Sequence, residues 1–506
     1  MTQNRENKTR SRRKEKKPKK KKVRISSLKR ENNRITVVLA LICILFIGTI
    51  VYLSYFQIFK SEELKYHAAN RRINYEQEKT LRGSIYDRNG ELLAHSEFTG
   101  EDSQKRIYDK PYNYSHVIGY SHTAYGNAGL EESMNSELLG ISAKQTNILE
   151  RLGELKDKVI NPNEKSYGHD LTITIDDSLQ SEAYDKLEGY KGSIIIMDTE
   201  TGEIYTMASN PGINVSNLDE EWEEIIQRED SPLINRATSG LYAPGSIFKI
   251  ITATGILEDL DPEETYTSTG SITEDGYTLR DFDEIAYGPV ALKDAFRQSV
   301  NTYFAYMGLE LGETKLVELE KRYMLGEQIP FDINVEKSRI QTSNMSTADI
   351  MATSIGQGKT LVTPLNMVMM SAAIANEGNM LRPVLVKEIM DHEGEVLSTG
   401  STKVISNVAS PEIAEEINEM MVTVVNSRGG TGSGAAISNV TMAGKTGTAE
   451  VEGKESHAWF TGFAPAEDPK LAIVVMLENV GHTGGKVAAP IARDMMIDAL
   501  NTIGYE

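Results

Sequence analysis

The longest apolar run in the chain comes first. From Ile35 to Phe59 it reads ITVVLALICILFIGTIVYLSYFQIF, 25 residues without a charge. A bilayer core takes about 20 apolar residues in a helix, so the run predicts a transmembrane helix over 35–59. It is too long for the apolar core of a cleavable signal, roughly 7–15 residues, and no small-residue cleavage site follows it. Between 60 and 165 the pattern is weaker. RGSIYDRNGELLA (82–94) predicts a hairpin of two short strands, with Asn89-Gly90 as a type I′ turn. GNAGLEESMNSELLG (126–140) places glycines ahead of a helix-like pattern, and TNILERLGELKDK (146–158) also predicts helix. The apolar periodicity there is too sparse for a large independent core, so the segment reads as a stalk or pedestal.

At GHDLTITIDDSLQ (168–180) the texture changes. Leu171 to Ile175 alternates like a strand, and Asp177-Ser178 resembles a helix cap. GSIIIMD (192–198), the turn TETGE and IYTMAS (204–209) predict a buried strand, a turn and a second strand. A long stretch of helix and loop is expected over 232–425. A glycine loop, SRGGTGSG (427–434), precedes VTMAGKTGTAEV (440–451). The chain then gives strand HAWFTGFAP, strand KLAIVVMLEN and helix AAPIARDMMIDAL (488–500). Sheet pieces at both ends with helices between them predict an α+β layered domain, its sheet assembled from the two ends of the segment.

Charge sharpens the membrane reading. Residues 1–34 hold 16 Lys/Arg against 3 Glu, a local net of +13, which leaves −32 for the rest of a chain whose total is −19. A basic tail can bind nucleic acid, but here it abuts an apolar span. Lys/Arg on that flank sets the N-terminus on the cytoplasmic side and favours contact with anionic lipid. The large acidic part is then extracytoplasmic, and its charge argues against nucleic acid as a partner. Cys43, the only cysteine, lies within the span, so no disulfide forms inside one chain.

The candidate chemistry begins at YAPGSIFKI (241–249). Pro244-Gly245 makes a turn, and Ser246 follows at a helix start. Lys249 lies three residues on, on the same helix face, within reach of the Ser246 hydroxyl. A serine nucleophile needs a base beside it. A lysine becomes one when burial disfavours its charged form, which Phe248, Ile250 and Ile251 could arrange. Ser-x-x-Lys alone is a weak signal, because Ser11–Lys14 and Ser26–Lys29 match it too. Two later stretches add weight. RQSVNTYF holds Ser299 and Asn301, a hydroxyl and an amide suited to relaying a proton and holding a substrate amide. AGKTGTAE reads as a strand with Lys445, Thr446, Gly447 and Thr448. Gly447 leaves room for another backbone to approach, so an extended substrate could add along the strand edge. Lys445 with two threonine hydroxyls suits a carboxylate.

Ser-x-x-Lys, then Ser-x-Asn 53 residues later, then Lys-Thr-Gly a further 146 on, is far more specific than any one piece. The chain resembles a class B (monofunctional) penicillin-binding protein. The likeness is strong over 168–506, through LTITIDDSLQ, GSIIIMDTETGEIYTMAS and SIGQGKTLVTPLNM, and weaker over 60–165, through RGSIYDRNG and GLE (129–131). It implies a penicillin-binding or serine β-lactamase-like transpeptidase domain over 168–506, an antiparallel sheet flanked by helices. A short pedestal or dimerisation-like region would occupy 60–167, and a disordered basic tail 1–34. The implied activity is a D,D-transpeptidase that cross-links peptidoglycan stem peptides. Ser246 would attack the carbonyl between two terminal D-alanines, and Lys249 would take its proton. The N–H groups of Ser246 and Thr448 would form the oxyanion hole. Ser299 would pass the proton to the leaving D-alanine, and Asn301 would hold the substrate amide. Lys445, Thr446 and Thr448 would face the terminal carboxylate. β-Lactams would acylate the same serine.

The pedestal is short for a class B member. The chain has no room for a glycosyltransferase domain, so a separate glycosyltransferase and other wall-synthesis proteins are expected partners. GKT at 358–360 and 444–446 fails as a phosphate loop, because the required earlier glycines are Thr353 and Asn439. The eight histidines show no metal-binding spacing, and neither metal nor cofactor is expected. His457 beside Trp459 reads as a strand residue near the site, and GHTGGK (481–486) as a loop near the substrate. A hydrolase, whether D,D-carboxypeptidase or β-lactamase, would need an activated water, and no clear extra acid motif lies between 301 and 445. A β-lactam sensor would carry more spans or a cytoplasmic effector. Intact motifs count against a non-catalytic scaffold.

Overall fold

Strands that meet in one sheet of this protein come from widely separated parts of the sequence. The computed structural model describes residues 36–53, 80–100, 103–140 and 166–505. The basic tail, the expected helix at 146–158 and the last residues of the expected span lie outside them. Contacts divide the chain into two units, Met1–Ile73 and Asn74–Glu506. In the first unit, Thr36–Leu53 forms helix α1, long and apolar enough to cross a membrane. Its side chains are exposed, and Thr49 satisfies its hydroxyl by donating to Leu45 O at 2.8 Å.

The second unit begins with β1 (Ile85–Tyr86), β2 (Leu92–Phe98) and β3 (Gln104–Tyr108), an antiparallel meander. The β1–β2 turn differs from the expected type I′ form. Of its two central residues only Gly90 has positive φ, at 88°. Asp87 makes the turn, its carboxylate accepting from Asn89 N and Glu91 N, both at 2.8 Å. An aspartate that folds back on the chain in this way competes with the Asn-Gly preference. The helical pattern at 126–140 becomes two single turns, Leu130–Ser133 and Asn135–Leu138. They carry Glu131, buried between Arg82 and Arg106.

β4 (Asp170–Ile173) lies parallel to β1 and leads to α2 (Asp177–Lys186). The cap of α2 is Asp176, one residue earlier than expected, accepting from Ser178 N and Leu179 N at 3.1 Å. β5 (Gly192–Asp198) and β6 (Ile204–Asn210) follow as an antiparallel pair. The middle holds α3 (Lys249–Asp259), α4 (Leu292–Gln298), α5 (Asn301–Arg322) and α6 (Pro364–Ala375). The expected helix and loop over 232–425 are interrupted by hairpins, and by β7 (Val386–Met390) and β8 (Val396–Thr399). These two return to the first sheet, giving the order β8-β7-β4-β1-β2-β3. That sheet therefore draws strands from both sides of residue 168. α7 (Pro411–Asn426) then leads to β9 (Ala443–Val451), β10 (Lys454–Ala464) and β11 (Leu471–Leu477), and α8 (Gly484–Thr502) ends the fold.

The second sheet runs β6-β5-β11-β10-β9, antiparallel throughout, and is built from both ends of the segment as its sequence predicts. Both faces are covered, which explains why β5 is apolar without alternation. Ile194 and Ile196 pack with α2 and α8, while Ile195 and Met197 join the core that holds α3 and α6. β9 is the edge strand and borders the site.

Candidate active site

The turn that carries Ser246 is held by its backbone. Tyr242 and Val362 exchange N–H···O bonds at 3.0 and 2.8 Å, Gly245 N donates to Gly356 O at 2.8 Å, and the Trp459 indole donates to Ala243 O at 3.0 Å. Gly245 adopts φ 56°, and a Cβ there would lie 2.5 Å from Thr448 O. Only glycine fits that conformation and that approach, so the turn rests directly on β9. Gly245–Phe248 is a 3₁₀ turn that carries Ser246, half-buried, into α3.

Lys249 opens α3 and is fully buried. Its Nζ donates to Ser299 O at 2.8 Å and Asn301 Oδ1 at 2.7 Å, and lies 3.2 Å from Ser299 Oγ. These bonds run to the Ser-x-Asn motif rather than to Ser246, the partner its sequence spacing favours. α4 ends in a left-handed residue, Ser299 at φ 60°, and α5 starts at Asn301. The motif is thus a junction between helices, and the reversed turn brings both oxygens of Ser299 to Lys249. The two carbonyl oxygens can only accept, so they take two hydrogens of the amine. In its neutral form the amine then keeps a lone pair for the Ser299 hydroxyl beside it. Burial drives the Lys249 pKa well below the ordinary lysine value. The charge of Lys445 lowers it further, and Asp281 opposes both.

Lys445 is also fully buried, and burial lowers its pKa to about 7. Its Nζ donates to Ser299 Oγ at 2.9 Å and to Thr446 O at 3.2 Å. Phe296 and Phe304 lie against the two amines, 5.6 Å from Lys445 Nζ and 5.3 Å from Lys249 Nζ. Along β9, Lys445 and Gly447 take one face and Thr446 and Thr448 the other. The backbone that approaches Gly447 belongs to the chain itself. A Cβ there would lie 2.9 Å from Pro244 O. Thr446 Oγ1 is 2.7 Å from Thr431 Oγ1, and Thr448 Oγ1 accepts from Gly484 N at 3.4 Å.

One fold thus gathers three motifs from three parts of the chain around Ser299. The family model for the penicillin-binding protein transpeptidase domain matches residues 192–497, which covers all three. This chain belongs to the penicillin-binding protein transpeptidase family. A second model, the penicillin-binding protein A dimerisation domain, matches residues 82–155. The chain is 31% identical to the peptidoglycan D,D-transpeptidase PbpA of Mycolicibacterium smegmatis, over 88% of this chain and 94% of that protein. Its fold resembles the penicillin G acyl-enzyme complex of penicillin-binding protein A from M. tuberculosis, with TM-score 0.75 and 29% identity, over 83% of this chain and all of that one. It also resembles a D,D-transpeptidase domain from Eggerthella lenta, with TM-score 0.74 and 30% identity, over 85% of this chain and 100% of that one.

Around the motifs of this penicillin-binding protein domain stand residues that motif reading misses. Asp281 is buried, accepts from Thr302 N at 2.9 Å and from Ser268 Oγ at 2.7 Å, and faces Lys249 electrostatically. Nothing in LRDFDE marks it out. Thr431 comes from the glycine loop. His457 lies on β10 as expected. It accepts from Asn479 N at 3.0 Å, and its ring meets Tyr242 edge-on at 5.2 Å, just ahead of the Ser246 turn. Of GHTGGK, expected to be a loop, only Gly481–Thr483 is loop; Gly484 opens α8 and donates its N–H to Thr448 Oγ1.

Proposed function

We propose that this chain is a membrane-anchored peptidoglycan D,D-transpeptidase that works through an acyl-enzyme on Ser246 and is acylated there by penicillins. The observation that carries the reading is the buried chain from Lys249 through Ser299 to Lys445 beside the Ser246 turn. Desolvation favours a neutral Lys249, which takes the Ser246 proton as the oxygen attacks the D-Ala carbonyl. The negative charge on that carbonyl oxygen falls to the N–H groups of Ser246 and Thr448, whose backbones the glycine at 245 brings together. Ser299 lies within hydrogen-bond distance of both lysine amines and relays the proton to the leaving amine. The terminal D-alanine departs, leaving the ester. The amine of a second stem peptide then attacks the ester carbonyl, gives up its proton through the same chain and frees Ser246. Asn301 holds the substrate amide. Thr446 and Thr448 meet the terminal carboxylate, with the charge of Lys445 behind them, and Gly447 keeps β9 close to the turn.

In this reading residues 1–34 are a cytoplasmic tail and 35–59 the span. Residues 60–167 are a pedestal and 168–506 the transpeptidase domain, outside the cytoplasm. The basic flank of the span supports that orientation. Glycan polymerisation falls to a separate glycosyltransferase in a wall-synthesis complex. The test is acylation of the full-length protein in detergent by a fluorescent penicillin, followed over hours with Ser246→Ala alongside. A long-lived adduct absent from the variant is expected. An adduct that clears in seconds would favour a hydrolase, and an adduct retained by the variant would remove Ser246 from the role.

A further inference from the structure

Thr446 and Thr448 share a face of β9, and each hydroxyl has a partner from a different element. Gly484 N–H donates to Thr448 Oγ1, which occupies a lone pair and leaves the hydroxyl proton free. Thr446 Oγ1 lies 2.7 Å from Thr431 Oγ1. The loop that carries Thr431 is fixed by contacts outside this pair. Arg297 donates to Arg428 O, and Gly432 N donates to Val424 O at 3.0 Å. Gly485 makes room for the Thr431 carbonyl, which would lie 2.2 Å from a Cβ at 485. Two hydroxyls this close share one proton. With Thr446 as donor, its hydroxyl has nothing left to offer an anion. With Thr431 as donor, Thr446 keeps a proton to give, as Thr448 does.

We propose that Thr431 is a positioning residue for the carboxylate subsite: its hydroxyl donates to Thr446 Oγ1 and thereby aims the Thr446 proton at the terminal carboxylate of the substrate. The inference rests on the transpeptidase reading and adds to it a residue outside the three motifs. Thr431 is exposed, so its replacement leaves the core intact.

The test measures acylation of the full-length protein in detergent by penicillin G and by its methyl ester, each in competition with a fluorescent penicillin. The carboxylate of penicillin G stands in for that of the stem peptide, and the ester lacks it. Thr431→Val is expected to raise the penicillin G concentration for half-maximal acylation about tenfold, the scale of a hydrogen bond to a charged group. The maximal acylation rate and the reaction with the ester should stay within about twofold. Thr431→Ser, which keeps the hydroxyl, should restore wild-type behaviour. Equal losses with both compounds, or a loss that serine does not restore, would make Thr431 merely structural and overturn the proposal. An unchanged Thr431→Val protein would sink the proposal while leaving the transpeptidase reading intact. A wild-type protein that forms no adduct would remove both.

Discussion

Lys445 donates to Ser299 Oγ over 2.9 Å, and the same oxygen lies 3.2 Å from Lys249. Two buried lysines from opposite ends of the domain are therefore joined by one hydroxyl. Ser299→Ala removes that link while leaving the Ser299 carbonyl contact to Lys249 in place. Acylation by penicillin is expected to fall by about 10²–10⁴, the range for lost proton transfer by a positioned side chain, with little change in the melting temperature. Stopped-flow acylation beside a thermal melt decides it. A Ser299→Ala protein that acylates at the wild-type rate would take Ser299 out of the relay.

With Lys249 in the proposed role of base, the acylation rate should rise with pH, because an amine accepts a proton only when neutral. Burial depresses its pKa first, and the charge on Lys445 depresses it further. Lys445→Gln removes that charge, so the Lys249 pKa moves up and the rising limb shifts to higher pH. The amplitude also drops, but the position of the limb is the readout. A limb that stays put or moves to lower pH would show that the lysines are not coupled.

Gly245→Ala puts a methyl group 2.5 Å from Thr448 O at a backbone angle of φ 56°. The turn must lift from β9, which separates the two N–H groups proposed as the oxyanion hole. Loss of about 10²-fold or more in acylation is expected, with about 1–3 kcal/mol of stability. Gly453→Ala is the control. Its φ is 70°, but the space around it is open, so it should cost about 1 kcal/mol and leave acylation unchanged.

Arg82 and Arg106 hold Glu131 in the first sheet's layer. Against the opposing effect of burial, the two guanidinium groups keep its carboxyl below the ordinary range. Arg82→Ala leaves Glu131 with one partner in a buried site. A loss of about 3–5 kcal/mol is expected on chemical denaturation. A loss below about 1 kcal/mol, the value of a surface pair, would show that the network is solvated.

The three motifs that meet at Ser299 were legible because each depends on local spacing. Ser246 and Lys249 are one turn apart, Ser299 and Asn301 flank one junction, and Lys445 to Thr448 lie on one strand. Asp281 and Thr431 were not legible, because their relevance arises only when α5 and β9 pack against segments far away in sequence. The doubly buried strand β5 was easy to read from its unbroken apolar run. β7 and β8, short and half-exposed, carry no such signal. The α2 cap was missed by one residue because Asp176 and Asp177 are equally good caps by composition. The register of the preceding strand chooses between them.

β1, β2 and β3 are made early in synthesis, yet the strands that complete their sheet end only at Thr399. In a nascent chain that has reached residue 140, the edge of β1 that pairs with β4 in the finished sheet has no partner yet. Covering that edge requires β4, and the outer pair β7–β8 must close a loop through most of the catalytic segment. The first part of this sheet to be synthesised therefore waits for one of the later parts. Its maturation is a high-contact-order event.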